Sequence, residues 1–315
     1  MLKKKIIKIF RSIAKLFLPI IFKLLINLKL NRRVINFLQE KSYFSNNAYN
    51  FHEEIKSLLK NNKIVALDVG AQGGFNSDEF FPSRYNNFFD CILVEPIQSE
   101  VKKFKNSKFV INKALWSSKI KKQIHILDNR LGSSSMYKPD EDKFDLHNIR
   151  KDDFEKFKIT RTIDVECDTI ENSLKELNIK SLDYLKIDTQ GAELEILKGI
   201  GNYRPVLIKI EAHIFSMYKD TPEWSQLLNC LYELNYLIID WKGIGKHKTR
   251  IAAEIDLLFI PNFNNQEGKK KIVDNLDKFT SLLLIFGQLS ILKTILKRLN
   301  IKMVNIDKYE DLYFN

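Results

Sequence analysis

Asp183-Tyr184-Leu185-Lys186-Ile187-Asp188-Thr189-Gln190-Gly191-Ala192-Glu193-Leu194-Glu195-Ile196-Leu197 reads as a short apolar strand, a glycine turn and the first turns of a helix. Open α/β sheets bind ligands beyond the carboxyl ends of their strands, so Asp188, which closes this strand, is expected at a site and not in a core. A helix-capping acid on a surface turn is the plainer reading of the same residues. Two upstream segments share the pattern. Ile64-Val65-Ala66-Leu67-Asp68-Val69 is closed by Gly70-Ala71-Gln72-Gly73-Gly74, and Cys91-Ile92-Leu93-Val94 by Glu95-Pro96. Glycines adopt positive φ and let a ligand approach the backbone closely. A glycine turn followed by an acid at the end of the next strand is the arrangement that holds a nucleoside, the acid accepting its ribose hydroxyls.

The turn chemistry narrows the ligand. A dinucleotide site calls for Gly-x-Gly-x-x-Gly, with a pyrophosphate at the helix N-terminus. Here an acid, Asp68, stands two residues before Gly70, where it repels a phosphate and tolerates a sulfonium or ammonium group. No Gly-x-x-x-x-Gly-Lys-Ser/Thr loop occurs in the chain, which argues against a nucleoside triphosphate. S-adenosyl-L-methionine, with a sulfonium, an ammonium, a ribose and no phosphate, fits best.

These residues resemble the FkbM family of S-adenosylmethionine-dependent methyltransferases over roughly residues 64–240. Leu67-Asp68-Val69-Gly70-Ala71-Gln72-Gly73-Gly74 is similar to the family's first cofactor motif, with Gln72 where an asparagine is commoner. Val94-Glu95-Pro96 resembles the second, and Leu185-Lys186-Ile187-Asp188-Thr189-Gln190-Gly191-Ala192-Glu193 the most specific one. Asn112-Lys113-Ala114-Leu115, Ser133-Ser134-Ser135 and Val165-Glu166-Cys167-Asp168-Thr169-Ile170 are similar too. The resemblance implies a Rossmann-like class I methyltransferase fold with a mostly parallel seven-stranded sheet, and methylation of hydroxyl groups on sugars or polyketide-type products.

Strands are expected near 64–69, 91–95, 108–112, 182–188, 205–211, 235–240 and 255–260, with helices around 97–105, 169–178, 192–199 and 222–234. That alternation is the mark of a doubly wound α/β sheet. Residues 123–127 and 161–166 alternate in polarity and predict an added β-hairpin. The polar stretch 128–158 between them reads as a lid or substrate loop, and residues 262–271 as a linker. The expected division is a basic helical segment over 1–50, a methyltransferase domain over 51–262 and a helical segment over 263–315.

The net charge of +12 over 315 residues is concentrated at the start of the chain. Ten lysines and arginines, from Lys3 to Arg33, precede the first acid, Glu40. Leu2, Ile6, Ile9, Phe10, Ile13, Leu16, Phe17 and Ile20 recur at helical spacing with the basic residues opposite. A cationic amphipathic helix of this kind lies in the interface of an anionic membrane. Packing on a second apolar stripe, Leu282 to Leu299, is the compatible alternative. The run Leu16–Phe22 is too short to span a bilayer and lacks a cleavage site, so no signal peptide is expected. No nucleic-acid-binding motif accompanies the basic arm. Cys91, Cys167 and Cys230 are widely spaced and read as reduced thiols of a cytosolic protein. The expected location is therefore cytoplasmic, peripheral to the inner face of the cell membrane.

Methyl transfer to a sugar hydroxyl needs a group to receive the hydroxyl proton. Asp188, Glu211 and His213, at neighbouring strand ends, are the candidates. No metal site is expected. For the cofactor, Asp68 with Gly70, Ala71, Gln72 and Gly73 should face the methionine portion, and Glu95 beside Pro96 the ribose. Asn112 and Ala114 should flank the adenine, Ser133 to Ser135 should cover the mouth, and Asp188 should contact the cofactor as well. The acceptor is expected to be a hydroxyl of a saccharide, glycan or glycolipid. Two other readings stay open: an NAD(P)-dependent dehydrogenase or epimerase on the same sheet, and a non-catalytic scaffold retaining the fold.

Overall fold

The computed structural model describes residues 51–75, 83–104, 107–147, 149, 151–242 and 253–302. The basic amphipathic helix expected over residues 1–33 lies outside them. In chain order the elements are α1 (His52–Leu59), β1 (Ile64–Val69), β2 (Phe89–Val94), α2 (Gln98–Val101), β3 (Phe109–Ile111), β4 (Ala114–Leu115), β5 (Ile120–Ile126), β6 (Arg161–Asp168), α3 (Ile170–Glu176), β7 (Tyr184–Ile187), α4 (Glu193–Lys198), β8 (Leu207–His213), α5 (Trp224–Glu233), β9 (Tyr236–Lys242), β10 (Glu254–Pro261), α6 (Gln266–Asp274), α7 (Leu276–Ile285) and α8 (Leu289–Arg298). The chain divides into two compact units. One comprises Lys63–Ser77 and Phe89–Leu276, the other Met1–Asn62, Asp78–Phe88 and Asp277–Asn315.

The larger unit is built on a seven-stranded sheet of order β3-β2-β1-β7-β8-β10-β9. Strands β3, β2, β1, β7 and β8 run parallel, while β10 is antiparallel to both β8 and β9. The β7 sequence Tyr184-Leu185-Lys186-Ile187 is buried throughout, as parallel strands covered on both faces require. From β1 the chain steps outward through β2 to β3, then crosses back to β7 on the other side of β1. The boundary between β1 and β7 is therefore the switch point at which such sheets open a ligand crevice.

The small appended sheet contains the expected antiparallel pair and one strand more. β5 and β6 pair antiparallel from Ile120↔Cys167 to Ile126↔Arg161, and β4 adds a parallel strand beside β6. The 128–158 connection is not a polar loop. It carries short 3-10 turns and buries Phe144 and Phe157 with Leu127, Met217 and Tyr218 in a core of its own. Its charged residues outnumber these apolar ones, which hid the core from a reading of average polarity. The expected linker at 262–271 is interrupted by α6. Asn265 caps that helix by accepting the Gly268 N–H, and Ile272 is buried beneath it.

In the smaller unit, α1 buries Ile55 and Leu59, and the Phe51 N–H donates to the Tyr85 hydroxyl at 3.0 Å. Helix α7 buries seven consecutive residues, Phe279 to Ile285, which marks an interior helix. Gly287, at φ +69, breaks the expected C-terminal stripe into α7 and α8. No helix among the described residues is long and apolar enough to cross a membrane.

Candidate functional site

Three segments meet at the switch point. The turn after β1 has Gly70, Gly73 and Gly74 at positive φ. A Cβ on Gly70 would come within 1.9 Å of the Asp188 carbonyl oxygen, so only glycine lets the β1 and β7 ends close on each other. At Gly74 a Cβ would meet nothing within 4 Å, and that stretch of backbone faces open space. The Gln72 side chain reaches the 128–133 turn, where its Oε1 would be 2.9 Å from a Cβ at Gly132.

A row of buried charges crosses the sheet beneath the turn. Asp68, Lys186 and Lys209 are direct neighbours in the β1–β7–β8 register and stand on one face. Lys186 Nζ is 3.1 Å from Asp68 Oδ1 and 3.6 Å from Asp188 Oδ2, and Lys209 Nζ is 3.4 Å from Asp256 Oδ1. Asp68 is 2% exposed and Lys186 7%, so neither charge is left to solvent. Buried ions persist only when paired and hydrogen-bonded, and here each lysine offsets a carboxylate.

Asp188 and Glu211 form the centre of the site. Burial opposes ionisation of Asp188, yet the Lys186 charge, the Glu211 hydrogen bond, Lys209 and Gln190 outweigh it, and its pKa is lowered. Glu211 moves the other way, well above the usual carboxylate range, through burial and the charges of Asp188, Glu254 and Asp256. The shared site therefore favours the charged form of Asp188 and the neutral form of Glu211. Although ringed by protein, the Asp188 side chain keeps 36% of its surface accessible, as a residue lining an open crevice does.

Gln190 clamps the pair. Its Nε2 donates to Glu211 Oε2 at 2.6 Å and lies 3.3 Å from Asp188 Oδ1. Its Oε1 faces the Tyr218 hydroxyl at 3.0 Å, and its carbonyl accepts from Ser135 Oγ at 2.6 Å. These bonds hold Gln190 in the left-handed region, at φ +61, a conformation that costs a non-glycine residue ~1–2 kcal/mol. Glu193 braces the same turn, its Oε1 accepting from the Thr189 N–H, the Thr189 hydroxyl and the Gly191 N–H. Gln190 was quoted in the motif without a role, and Tyr218 was not singled out at all. The only sequence signal for Gln190 was a long polar residue before Gly191 in a turn that needs positive φ. Tyr218 lies in Ile214-Phe215-Ser216-Met217-Tyr218, which has no periodicity to read.

Other expectations divide. Glu95 is 4% exposed, just past β2, and its Oε1 accepts the Ile97 N–H at 2.8 Å. Burial, with smaller contributions from Glu100 and Asp68, outweighs that bond and raises its pKa to about 7. Asn112 turns its amide onto the Glu95 and Pro96 carbonyls, at 2.9 and 3.2 Å, and so orders the turn that carries Glu95. Ala114 is not at the end of β3; it belongs to β4, paired with Cys167 and packed in the apolar core. Ser133 and Ser135 are buried, the former accepting from Tyr218 through its carbonyl, so they tie segments together. Glu195 accepts from Ser117 Oγ at 2.6 Å. Cys91 and Cys167 are buried free thiols, whereas Cys230 is half-buried. His213 ends β8 with its ring edge-on to Tyr218, at a centroid distance of 5.7 Å. Among the described residues, no three His, Cys, Asp or Glu side chains are grouped to hold a metal ion.

A mostly parallel α/β sheet with a glycine turn, a buried acid after the next strand and a coupled carboxyl pair at the switch point is the architecture of an α/β enzyme with its site at the strand ends. The methyltransferase FkbM domain model matches residues 68–238, more than half of the 315-residue chain, and the protein belongs to that family. No curated protein matches the sequence significantly.

Proposed function

We propose that this protein transfers a methyl group from S-adenosyl-L-methionine to a hydroxyl of a saccharide, glycan or glycolipid, on a doubly wound Rossmann-like sheet. The observation that carries the reading is the Asp188–Glu211 pair, whose pKa values are pushed in opposite directions, beside a glycine turn at the switch point. The residues present suit the cofactor. Gly74 offers backbone with room above it, Asp68 disfavours phosphate, and Glu95 is a buried carboxyl suited to accept two ribose hydroxyls. When bound, S-adenosylmethionine supplies an electrophilic methyl group on a sulfonium.

The chain's own residues supply orientation and a proton acceptor. Asp188, kept ionised by Lys186, receives the acceptor hydroxyl's proton as oxygen becomes nucleophilic. Glu211, pushed towards its neutral form, leaves Asp188 as the carboxylate of the pair, and Gln190 fixes both carboxyls. The ordered 128–158 segment helps to screen the site from water.

The test is incubation with methyl-tritiated S-adenosylmethionine and a saccharide-containing extract of the source cells. Label should enter saccharide, and Asp188→Asn should abolish incorporation while S-adenosylhomocysteine still binds. Label confined to protein or nucleic acid, or stronger thermal stabilisation by NAD(P) than by S-adenosylhomocysteine, refutes it. Peripheral membrane contact through residues 1–33, at the cytoplasmic face, is part of the proposal because ten cationic residues precede the first acid.

A further inference from the structure

We infer that His213 and His147 together form a binding site for a second hydroxyl of the acceptor, so that the substrate is a polyol, with the methylated oxygen at Asp188. This rests on the methyltransferase reading and names what the site grips. The Nε2 atoms of both histidines are buried and have no hydrogen-bond partner among the described residues. His213 is only 8% exposed as a residue, so its ring nitrogen is withheld from bulk solvent. A buried polar group left unsatisfied is destabilising. Two on adjoining segments, beside a site, point to a ligand that satisfies them.

The two histidines arrive from different parts of the chain. His213 ends β8, two residues beyond Glu211 and on the same face, hence ~7 Å farther along the strand. His147 comes from the 128–158 segment, whose central part is docked onto the residues following β8. Pro139 and Tyr218 form an antiparallel bridge, the Asp140 N–H donates to the Met217 carbonyl at 2.8 Å, and the Lys219 N–H to the Lys138 carbonyl at 2.9 Å. Glu254 lies directly opposite His213 in the β8–β10 register. Its charge acts on His147, Glu211 and Tyr218, and His213 acts on His147, which places all five groups in one electrostatic neighbourhood.

Hydroxyl recognition follows from the imidazoles. Burial, with His213 and Lys143, lowers the His147 pKa against the opposing pull of Glu254, so the ring is neutral at pH 7. A neutral imidazole carries one N–H donor and one acceptor nitrogen, matching a hydroxyl that both gives and takes a hydrogen bond. Phe215, 37% exposed and 5.9 Å from His147 by ring centroids, adds apolar surface of the kind that packs on a sugar face. A ligand spanning Asp188 and the two histidines therefore needs two hydroxyls on one rigid frame, as a pyranose provides.

The test uses the full chain saturated with S-adenosylhomocysteine and 15N-labelled at histidine. Two-bond imidazole spectra are recorded during titration with methyl hexopyranosides and methyl 6-deoxyhexopyranosides, with 2-propanol as the single-hydroxyl control. At least one glycoside should shift the Nε2 resonances of both His213 and His147 saturably, while 2-propanol should not. His147→Gln should raise that Kd at least tenfold and leave S-adenosylhomocysteine affinity unchanged. Glycoside titrations that move neither imidazole, or a Kd untouched by His147→Gln, overturn the inference while the methyltransferase reading stands. Glycoside shifts in a protein that binds no S-adenosylhomocysteine would keep the polyol site and remove the cofactor reading.

Discussion

Cofactor affinity should depend on pH through one residue, Glu95. Its carboxyl is held at about 7 in the folded protein against an ordinary 4.5. That displacement, at ~1.36 kcal/mol per unit, puts the cost of ionising it at roughly 3 kcal/mol. A ribose diol donates two hydrogen bonds to a carboxylate and cannot do so to both oxygens of the acid, so binding selects the ionised form. The sign follows: affinity is full above pH 7 and falls as pH drops through 7, because protons compete with the ligand. From pH 8 to pH 6 the ionised fraction drops from roughly 90% to roughly 10%, a loss of about tenfold, or ~1.3 kcal/mol. Titration calorimetry with S-adenosylhomocysteine at fixed ionic strength reads this directly, and heats in buffers of different ionisation enthalpy should show close to one proton released near pH 6. Glu95→Gln should bind more weakly at pH 8 and lose most of the slope; the difference between the two curves isolates Glu95 from the histidines and the ligand's amine. Wild-type affinity constant within twofold from pH 6 to pH 8, or an unchanged slope in Glu95→Gln, would refute the assignment.

Lys186→Met leaves Asp68 and Asp188 without the ammonium between them and should cost ~3–5 kcal/mol, read as a lower urea midpoint at unchanged m; a loss under about 1 kcal/mol would show that the row is not held by its charges. Gly70→Ala must both accept φ +81 and push the Asp188 carbonyl away, so it should lower stability by more than Gly74→Ala, where only the left-handed penalty of ~1–2 kcal/mol applies. Equal effects at the two glycines would mean that the β1 and β7 ends are not in close contact. Deleting residues 1–33 should abolish cosedimentation with vesicles rich in anionic lipid and leave neutral vesicles unaffected, while retention on anionic vesicles would sink the anchoring proposal.

The strands of the sheet were legible because each is a short apolar run ended by a chemical signal. Asp188, Glu95 and the Gly70 turn interrupt such runs at their carboxyl ends, and the structure places all three around the central strands. What was not legible depended on contacts between distant segments. Ala114 follows β3 so closely that it read as its continuation, yet its backbone pairs with Cys167, more than 50 residues later. Tyr218 matters because residues 133, 190 and 218 meet in space, and no local periodicity encodes that meeting. The 128–158 segment failed for a similar reason. Its few aromatics bury one another and Met217, so the segment gains a core that mean polarity conceals.

Charge balance ties the two halves of the reading together. Asp68, Asp188 and Asp256 face Lys186 and Lys209, and Glu211 is pushed towards its neutral form, so the acids of the row outnumber its cations. A pyrophosphate would add to that excess next to the buried Asp68, whereas a cationic group would reduce it. In the reaction we propose, the donor would lose a positive charge as its methyl group leaves, and Asp188 would take up the proton that the acceptor hydroxyl releases. Negative charge on the row and positive charge on the ligand would then fall together. In a buried site, where unbalanced charge is expensive, that pairing would let the reaction proceed without drawing water in to solvate it. A neutral Asp188 would break the balance, and preventing that is the role proposed for Lys186.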